Sequence, residues 1–506
     1  MSEKRQITLE EIVELLKEHH LLKEVWQKGK AHFQLLDNET YEQVTYDSRQ
    51  VERNSLFICK GQNFKMDFLT MAQEKGAVAY LSETHFPEME AMTAILVTDV
   101  RKAMACVAMA FYGYPQKELK IIAYTGTKGK TTSAYFCKSI LDEWTDHHCA
   151  LLSTMETILD GKTKQKSKLT TPESLDLYAM FREAVDHGMT HLVMEVSSQA
   201  YKLHRVYGLT FDIGIFLNLS PDHIGPIEHP TYEDYIYCKS ELIENSRLMI
   251  IEDEIDQKEF LLEKAAALHV PVITYGKTEA ADYEWKSKGS GIFSVETHGS
   301  DVELSGEYQT QLLGDFNQSN GLSALIACRQ LGADEESLRE GLRKALVPGR
   351  MECLKKEGEP VVYIDYAHNY LSASSLLSFI KKEYPQQKIY VVVGSTGNKA
   401  ESRRQDFGRV LSEYADYAVL TSDDPGYEDP REINAEIIAA MDSKVPYTEI
   451  VDRKEAIEFI LDKATKDDIV VLMGKGRDAS QQICGESVPY LGDVTIAKNY
   501  LGIESE

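Results

Sequence analysis

One segment constrains this chain more than any other: IIAYTGTKGKTTSAYFCKSILDEW, which begins at Ile121. An apolar run leads into a loop of two glycines and two lysines, and a long helix-forming run follows. That order reads as buried strand, tight loop and helix. Gly126 and Gly129 allow backbone conformations that a side chain obstructs. The free N–H groups opening the following helix favour an anion in the loop. Lys130 reaches a terminal phosphate, and the Thr131 hydroxyl suits the magnesium that accompanies a nucleotide. The segment therefore predicts a nucleoside triphosphate site built from Gly126, Thr127, Lys128, Gly129, Lys130, Thr131 and Thr132. Its glycines lie closer together than in G-x-x-x-x-G-K-[ST], and alone it leaves kinases, motors and ligases open.

The rhythm on either side gives the fold class. CALLSTME, THLVMEVSS and FDIGIFLNLS are short apolar runs separated by helix-forming stretches such as PESLDLYAMFREAVDHG. Apolar strands alternating with helices indicate an α/β protein with mostly parallel sheets. Between residues 285 and 313 the alternation has period two, which predicts appended antiparallel strands. VPGRM, at Val347–Met351, is a Pro/Gly boundary. Beyond it VVYIDYA, KIYVVVGS, YAVLTSDD, VPYTEIVD and DIVVLMGKG predict a second, doubly wound Rossmann-like sheet. With 506 residues the chain holds three or four domains at roughly 150 residues each. The expected division is 1–118, 119–347 and 348–506.

Composition removes several function classes. A formal charge of -26 argues against a general nucleic-acid binder. Eight cysteines include no C-x-x-C pair, so a zinc motif is not expected. The opening MSEKRQITLEEIVELL reads as a capped amphipathic helix rather than a secretory leader, and no apolar run approaches the ~20 residues of a membrane span. The expectation is a reduced, cytoplasmic protein without membrane insertion.

Three further residues fall where such a sheet gathers its chemistry. Glu195 ends a buried strand and is either a magnesium ligand or a carboxylate paired with a lysine. His223, in SPDHIG, follows the next strand and opens onto the same crevice. Lys239 lies within a helix, where a lone lysine is ordinarily solvated.

Taken together, TGTKGKTT, TTPES, MEVSSQA, LNLSPDH, CKSEL, LLGDFNQSN, VPGRME, IDYAH and SDDPGYEDP occur in an order and at separations that resemble the Mur ligase family of peptidoglycan synthesis along essentially the whole chain. The resemblance is strongest to the tripeptide synthetases, which add the third residue of the stem peptide. That family uses the shortened loop. The resemblance implies an ATP-dependent amide ligase acting on UDP-N-acetylmuramoyl-L-alanyl-D-glutamate through an acyl phosphate, with a UDP-binding N-terminal domain, a central ATPase domain and a C-terminal Rossmann-like domain. It implies that Lys130 and Thr131 hold ATP and Mg2+, and that Glu195 and His223 complete the metal sites. Lys239 corresponds to the family lysine that carries CO2 as a carbamate. Asn317, Arg350, Asp365 and His368 correspond to nucleotide-facing positions, with ATP lying between two domains. Ser48, Thr170, Thr171, Ser198 and Arg205 correspond to positions holding the UDP-sugar and dipeptide. A monomer is expected.

One departure concerns the incoming amino acid. Synthetases that add meso-diaminopimelate carry Asp-Asn-Pro-Arg, whose arginine pairs with the distal carboxylate. Here the residues are Asp423, Asp424, Pro425 and Gly426, followed by Glu428 and Asp429. A second carboxylate would lack a cationic partner, whereas Asp424 welcomes an ammonium. Asp478, in GKGRDASQ, replaces a family glutamate that contacts the amino acid. L-Lysine is the expected substrate, with ornithine or meso-diaminopimelate as alternatives. A P-loop switch protein, a folylpolyglutamate synthetase and a non-catalytic UDP-sugar binder are the other readings. Lys128, where relatives commonly carry Asn, has no assigned role at this stage.

Overall fold

A computed structural model describes residues 5–61, 64–225, 228–398 and 402–503. The chain forms two compact units. The first comprises Met1–Glu284, Thr297–Leu304 and Ser323–Gly341; the second comprises Trp285–Glu296, Ser305–Leu322 and Leu342–Glu506.

The first unit opens with helix Leu9–Glu18, whose capping box is formed by Thr8 and Glu11 as the opening residues predict. Two sheets follow. The smaller runs in the order Lys30–His32, Leu22–Gln27, Thr93–Val97, Ala77–Ser82, Ser55–Ile58 and Gln43–Thr45. The larger runs Lys164–Lys166, Glu156–Ile158, Cys149–Leu152, His191–Glu195, Lys120–Thr125, Ile213–Phe216, Met249–Glu252, Val272–Gly276 and Tyr283–Gly289. Its middle strands are parallel. They are apolar because helices cover both faces of such a sheet.

One hydrophobic core runs from Ile7 through both sheets to Ala265. Helix Val100–Phe111 packs against helix Ser174–Asp186 and buries Val100, Met104, Val107, Met109 and Phe111. Each such side chain contributes ~1.5–3 kcal/mol when fully buried. Residues on both sides of the expected division near residue 118 contribute to this core.

In the second unit, strands Ile292–Thr297 and Gly306–Gln309 are antiparallel, as the period-two pattern predicts. Residues 301–305 are not part of the ladder. The main sheet runs Glu352–Leu354, Val361–Asp365, Ile469–Met473, Ile389–Val393, Tyr417–Leu420 and Tyr447–Glu449. All but the first strand are parallel. Strand Ile469–Met473 lies between Val361–Asp365 and Ile389–Val393, so the strand order reverses there. In open α/β sheets such a reversal opens a crevice at the carboxyl ends. Sequence periodicity missed the hairpin Ser480–Ile483/Glu486–Pro489, because its polar, largely exposed strands carry no apolar pattern.

Candidate active site

In the larger sheet of the first unit, strand Lys120–Thr125 has parallel neighbours on both sides, so its carboxyl end meets two others. Glu195 is in register with Tyr124, and Phe216 with Thr125. The loop after Thr125 needs its glycines. Gly126 has φ +151°, and a Cβ there would meet Leu217 Cβ at 3.1 Å and the Asn218 nitrogen at 3.3 Å. Gly129 caps helix Lys130–Thr145 in the left-handed region, with φ +83°.

The loop is tied down from behind. Thr127 Oγ1 donates to the Ser220 carbonyl at 3.1 Å, and the Ser220 N–H donates back to it at 3.0 Å. Tyr235 also donates to Thr127 Oγ1 at 3.1 Å. The Lys128 N–H donates to Asn218 Oδ1 at 2.8 Å, and the Lys128 ammonium pairs with Asp222 at 3.0 Å. Lys128, without a role on sequence grounds, therefore anchors the loop to the following strand's exit. Lys130 folds back to the Gly126 carbonyl at 2.8 Å.

Glu195 is 1% exposed. Its Oε1 accepts from the Thr131 hydroxyl and the Thr154 N–H, both at 2.8 Å, and Oε2 accepts from the Thr154 hydroxyl at 3.0 Å. A buried carboxylate beside a hydroxyl, at the mouth of a phosphate-type loop, is an oxygen donor set of the kind magnesium takes. Thr154 was invisible in the sequence and links onward to Thr170 at 3.1 Å. Thr171 donates to the Glu195 carbonyl at 3.0 Å.

Lys239 is not a solvated helix lysine: it is 2% exposed. Its ammonium donates to the Gly126 carbonyl at 2.8 Å and lies 4.8 Å from the Tyr235 ring centre. Burial and the neighbouring Lys130 hold its pKa well below the ordinary lysine value. His223 lies in the left-handed region, φ +56°, with Nδ1 3.1 Å from both oxygens of Glu228. Ser198 Oγ meets Nε2 of the fully buried His229 at 2.8 Å.

A cation-rich cluster adjoins these groups. Arg205, Lys60 and Arg101 all converge on Glu173, at 3.0, 2.8 and 3.4 Å. Burial raises the Glu173 pKa, but the three cations outweigh it and the net shift is downward. Arg205 was expected; Lys60, Arg101 and Glu173 were not, being brought together only by folding. Ser48 is buried in the turn after strand Gln43–Thr45.

The second unit carries the remaining expected residues. Asp365 ends strand Val361–Asp365 and accepts from the Met351 N–H at 2.7 Å and the Ala367 N–H at 2.8 Å. Arg350 lies 3.8 Å from Asp365 and over the Tyr366 ring. Burial raises the Asp365 pKa, against the pull of Arg350. His368 Nδ1 lies 2.7 Å from the Tyr366 carbonyl. Asn317 is buried, its amide donating to the Leu313 carbonyl at 2.8 Å.

The acidic loop is not simply solvated. Asp423, Asp424 and Asp478 surround the buried ammonium of Lys475, at 3.7, 2.8 and 3.5 Å. Burial pushes the Asp423 pKa up to about 6, even with Arg453 and Lys475 pulling it down. Behind Lys475, Arg453 binds both oxygens of Asp493 at 2.9 and 2.7 Å and donates to the Met473 carbonyl at 2.8 Å, which fixes the end of that strand. The Pro425 carbonyl accepts from the Glu428 N–H at 3.0 Å. Gly426 has φ +60°, and a Cβ there would meet Asn398 Oδ1 at 2.5 Å. A side chain at this position would therefore have to adopt a left-handed backbone and displace the Asn398 amide.

Comparison with known proteins places this geometry in a family. Residues 124–328 match the Mur ligase middle domain and residues 349–476 the Mur ligase glutamate ligase domain. The chain is 50% identical over 503 residues to the UDP-N-acetylmuramoyl-L-alanyl-D-glutamate–L-lysine ligase of Enterococcus faecalis (strain ATCC 700802 / V583), covering 98% of this chain and 99% of that one. It is 47% identical to the protein of the same name from Streptococcus pyogenes serotype M3, covering 98% and 100%. Among solved structures, a UDP-N-acetylmuramoyl-L-alanyl-D-glutamate–2,6-diaminopimelate ligase aligns with a TM-score of 0.65 at 27% identity, covering 91% of this chain and 95% of that one. Half of the residues shared over nearly the full length of a relative, with two family domains matched in order along the chain, mean that the chain belongs to the Mur ligase family.

Proposed function

We propose that this protein is an ATP-dependent acid–amino-acid ligase of peptidoglycan synthesis, acting in the cytoplasm. It joins L-lysine to UDP-N-acetylmuramoyl-L-alanyl-D-glutamate. The observation that carries the reading is the full-length likeness to the L-lysine ligases, together with an amino-acid loop that has carboxylates where an arginine would be needed.

Within that reading the carboxylate ending the dipeptide takes the γ-phosphoryl group of ATP. The lysine α-amine then attacks the acyl carbon, phosphate leaves, and the amide forms. A bare carboxylate is a poor acyl donor, so the residues must manage the anionic charge of the activated form. Gly126–Thr132 cradle the phosphates, with Lys130 opposing the terminal charge and Lys128 holding the loop through Asp222. Thr131 and Glu195 fit Mg2+, which when bound offsets phosphate charge. His223 would complete that set, with its Nδ1 oriented by Glu228, an arrangement common behind metal ligands. Lys239 fits carbamate formation, because that chemistry consumes the neutral amine and the site disfavours the ammonium. Once carboxylated it would present anionic oxygen.

Thr170, Thr171, Ser198 and Arg205, with Lys60 and Arg101, form the dipeptide side. Three cations against the single carboxylate of Glu173 leave positive charge for an anionic substrate. Ser48 serves the uridine diphosphate; Asn317, Arg350, Asp365 and His368 serve the nucleotide. Asp423, Asp424, Pro425 and Asp478 form the lysine site, where carboxylates already hold one ammonium. We read residues 1–118, 119–347 and 348–506 as the UDP-sugar, ATP and amino-acid domains of a monomer.

The test is phosphate release with UDP-N-acetylmuramoyl-dipeptide, ATP and one amino acid at a time. Lysine supports turnover, and each component is required. Faster turnover with meso-diaminopimelate than with lysine refutes the substrate assignment; phosphate release without acceptor refutes the ligase.

A further inference from the structure

Helix Tyr232–Glu244 carries Lys239, and it also carries a set of donor atoms that the ligase reading leaves unused. Asp234 and Cys238 are four residues apart, so they share one face of the helix. His229, in the segment just before the helix, completes a trio. One ligand atom from each residue lies within 4.8 Å of the others. His229 Nδ1 is 2.7 Å from Asp234 Oδ2. The histidine is held in place by its backbone, its N–H donating to the His223 carbonyl at 3.2 Å and its carbonyl accepting from the Gly225 N–H at 2.7 Å.

Two further observations point to a cation. The Lys202 ammonium already sits at the trio, 2.9 Å from Asp234 Oδ2 and 2.7 Å from the Glu228 carbonyl. One member of the trio is also reachable, because Cys238 lines a cavity of about 510 Å³ together with Lys202, Tyr201 and Tyr237.

We propose that His229, Asp234 and Cys238 form a binding site for a divalent transition metal of the zinc class. Imidazole nitrogen, carboxylate oxygen and thiolate sulfur are the donors zinc takes, and three protein ligands with a fourth, open position is a common zinc arrangement. Magnesium prefers a predominantly oxygen set, so a site of one nitrogen, one oxygen and one sulfur favours zinc over it. On binding, the Cys238 thiol loses its proton to solvent, the Lys202 ammonium leaves Asp234, and the donors close to ~2.0–2.3 Å from the metal. His229 would bind through Nδ1, which leaves Nε2 protonated and donating to Ser198 Oγ, 2.8 Å away. The metal therefore fixes which partner donates at Ser198. The binding claim stands apart from the ligase reading; an effect on turnover through Ser198 rests on it.

The test is cobalt(II) titration of the full chain in saturating Mg2+, with zinc added afterwards. The expected result is a near-ultraviolet thiolate-to-cobalt charge-transfer band at one equivalent, which zinc abolishes. In Cys238→Ser the band is absent and zinc binding by calorimetry weakens at least ~10-fold, the lower end of what losing even a supporting group costs. Asp234→Asn, checked for native circular dichroism, keeps the band at one equivalent but needs higher cobalt to reach it. No thiolate band in the wild type, or zinc affinity in Cys238→Ser within ~3-fold of wild type, overturns the site. Cys238→Ser assayed with Mg2+ alone retains ligase turnover, so a failure here is distinguishable from a failure of the proposed reaction.

Discussion

Replacing Lys475 by Met removes the ammonium that three carboxylates share. Asp424 Oδ1 lies 2.8 Å from that ammonium, Asp478 3.5 Å and Asp423 3.7 Å, and the lysine and Asp423 side chains are 2% and 7% exposed. Breaking a buried pair from one side costs about 3–5 kcal/mol, because Asp423 stays buried without that partner while Asp424 and Asp478 keep some contact with water. For a unit of this size each kcal/mol moves the unfolding midpoint by ~2–4 °C, so the C-terminal transition should fall by roughly 6–20 °C near pH 7.5.

The pH dependence separates this cause from lost packing. Burial holds the native Asp423 pKa at about 6, above its ordinary value of 3.8. The native state therefore binds the proton more tightly than the unfolded chain. Its penalty, about 3 kcal/mol for two units, is fully present above pH 6 and is relieved as pH falls from about 6 toward 4. Burial raises the Asp478 pKa too, so it acts in the same direction. Without Lys475 both carboxyls hold protons more tightly, and the relief begins at higher pH. Thermal unfolding of wild type and Lys475→Met, followed by circular dichroism at pH 7.5 and 5.5, should show the deficit shrinking at the lower pH. A deficit of equal size at both pH values, or one below ~2 °C at pH 7.5, would refute the electrostatic account.

Three more outcomes follow from the first unit. Glu195→Gln keeps an acceptor for Thr131 and Thr154 but loses the charge; phosphate release should fall ~10²–10³-fold with native circular dichroism, and the Mg2+ concentration for half-maximal rate should rise. Lys239→Ala should lower turnover at least ~100-fold, without recovery in high bicarbonate, and should lose a carbamate signal that wild type shows in 13C NMR with labelled bicarbonate; near wild-type turnover would remove its role. Lys128→Ala should change the ATP KM less than Lys130→Ala does, and a double-mutant cycle with Asp222→Asn should return only ~0.5–1 kcal/mol of coupling, since the pair is partly exposed.

How much of this was legible in advance follows from the range over which each signal acts. The phosphate loop could be read directly because glycine conformation, helix N–H groups and the Lys-Thr pair are neighbours in the chain. Strand-end residues such as Glu195 and Asp365 were legible for a related reason: an apolar run shows where a strand stops, and a parallel sheet gathers its chemistry at that end. Lys239 marks the limit of that logic. Nothing local distinguishes it from a solvated helix lysine; its burial depends on Gly126, 113 residues away. Glu173 and Arg101, 72 residues apart, are likewise joined only when two helices pack. The missing arginine at Gly426 was legible as chemistry but not as geometry. Its positive φ and the nearby Asn398 amide favour glycine, so the residue serves the loop as well as marking substrate choice. An arginine restored there would take up that left-handed backbone at a cost of about 1–3 kcal/mol and displace the Asn398 amide before it could pair with a distal carboxylate, so the single substitution should convert the specificity less fully than one made together with a change at Asn398.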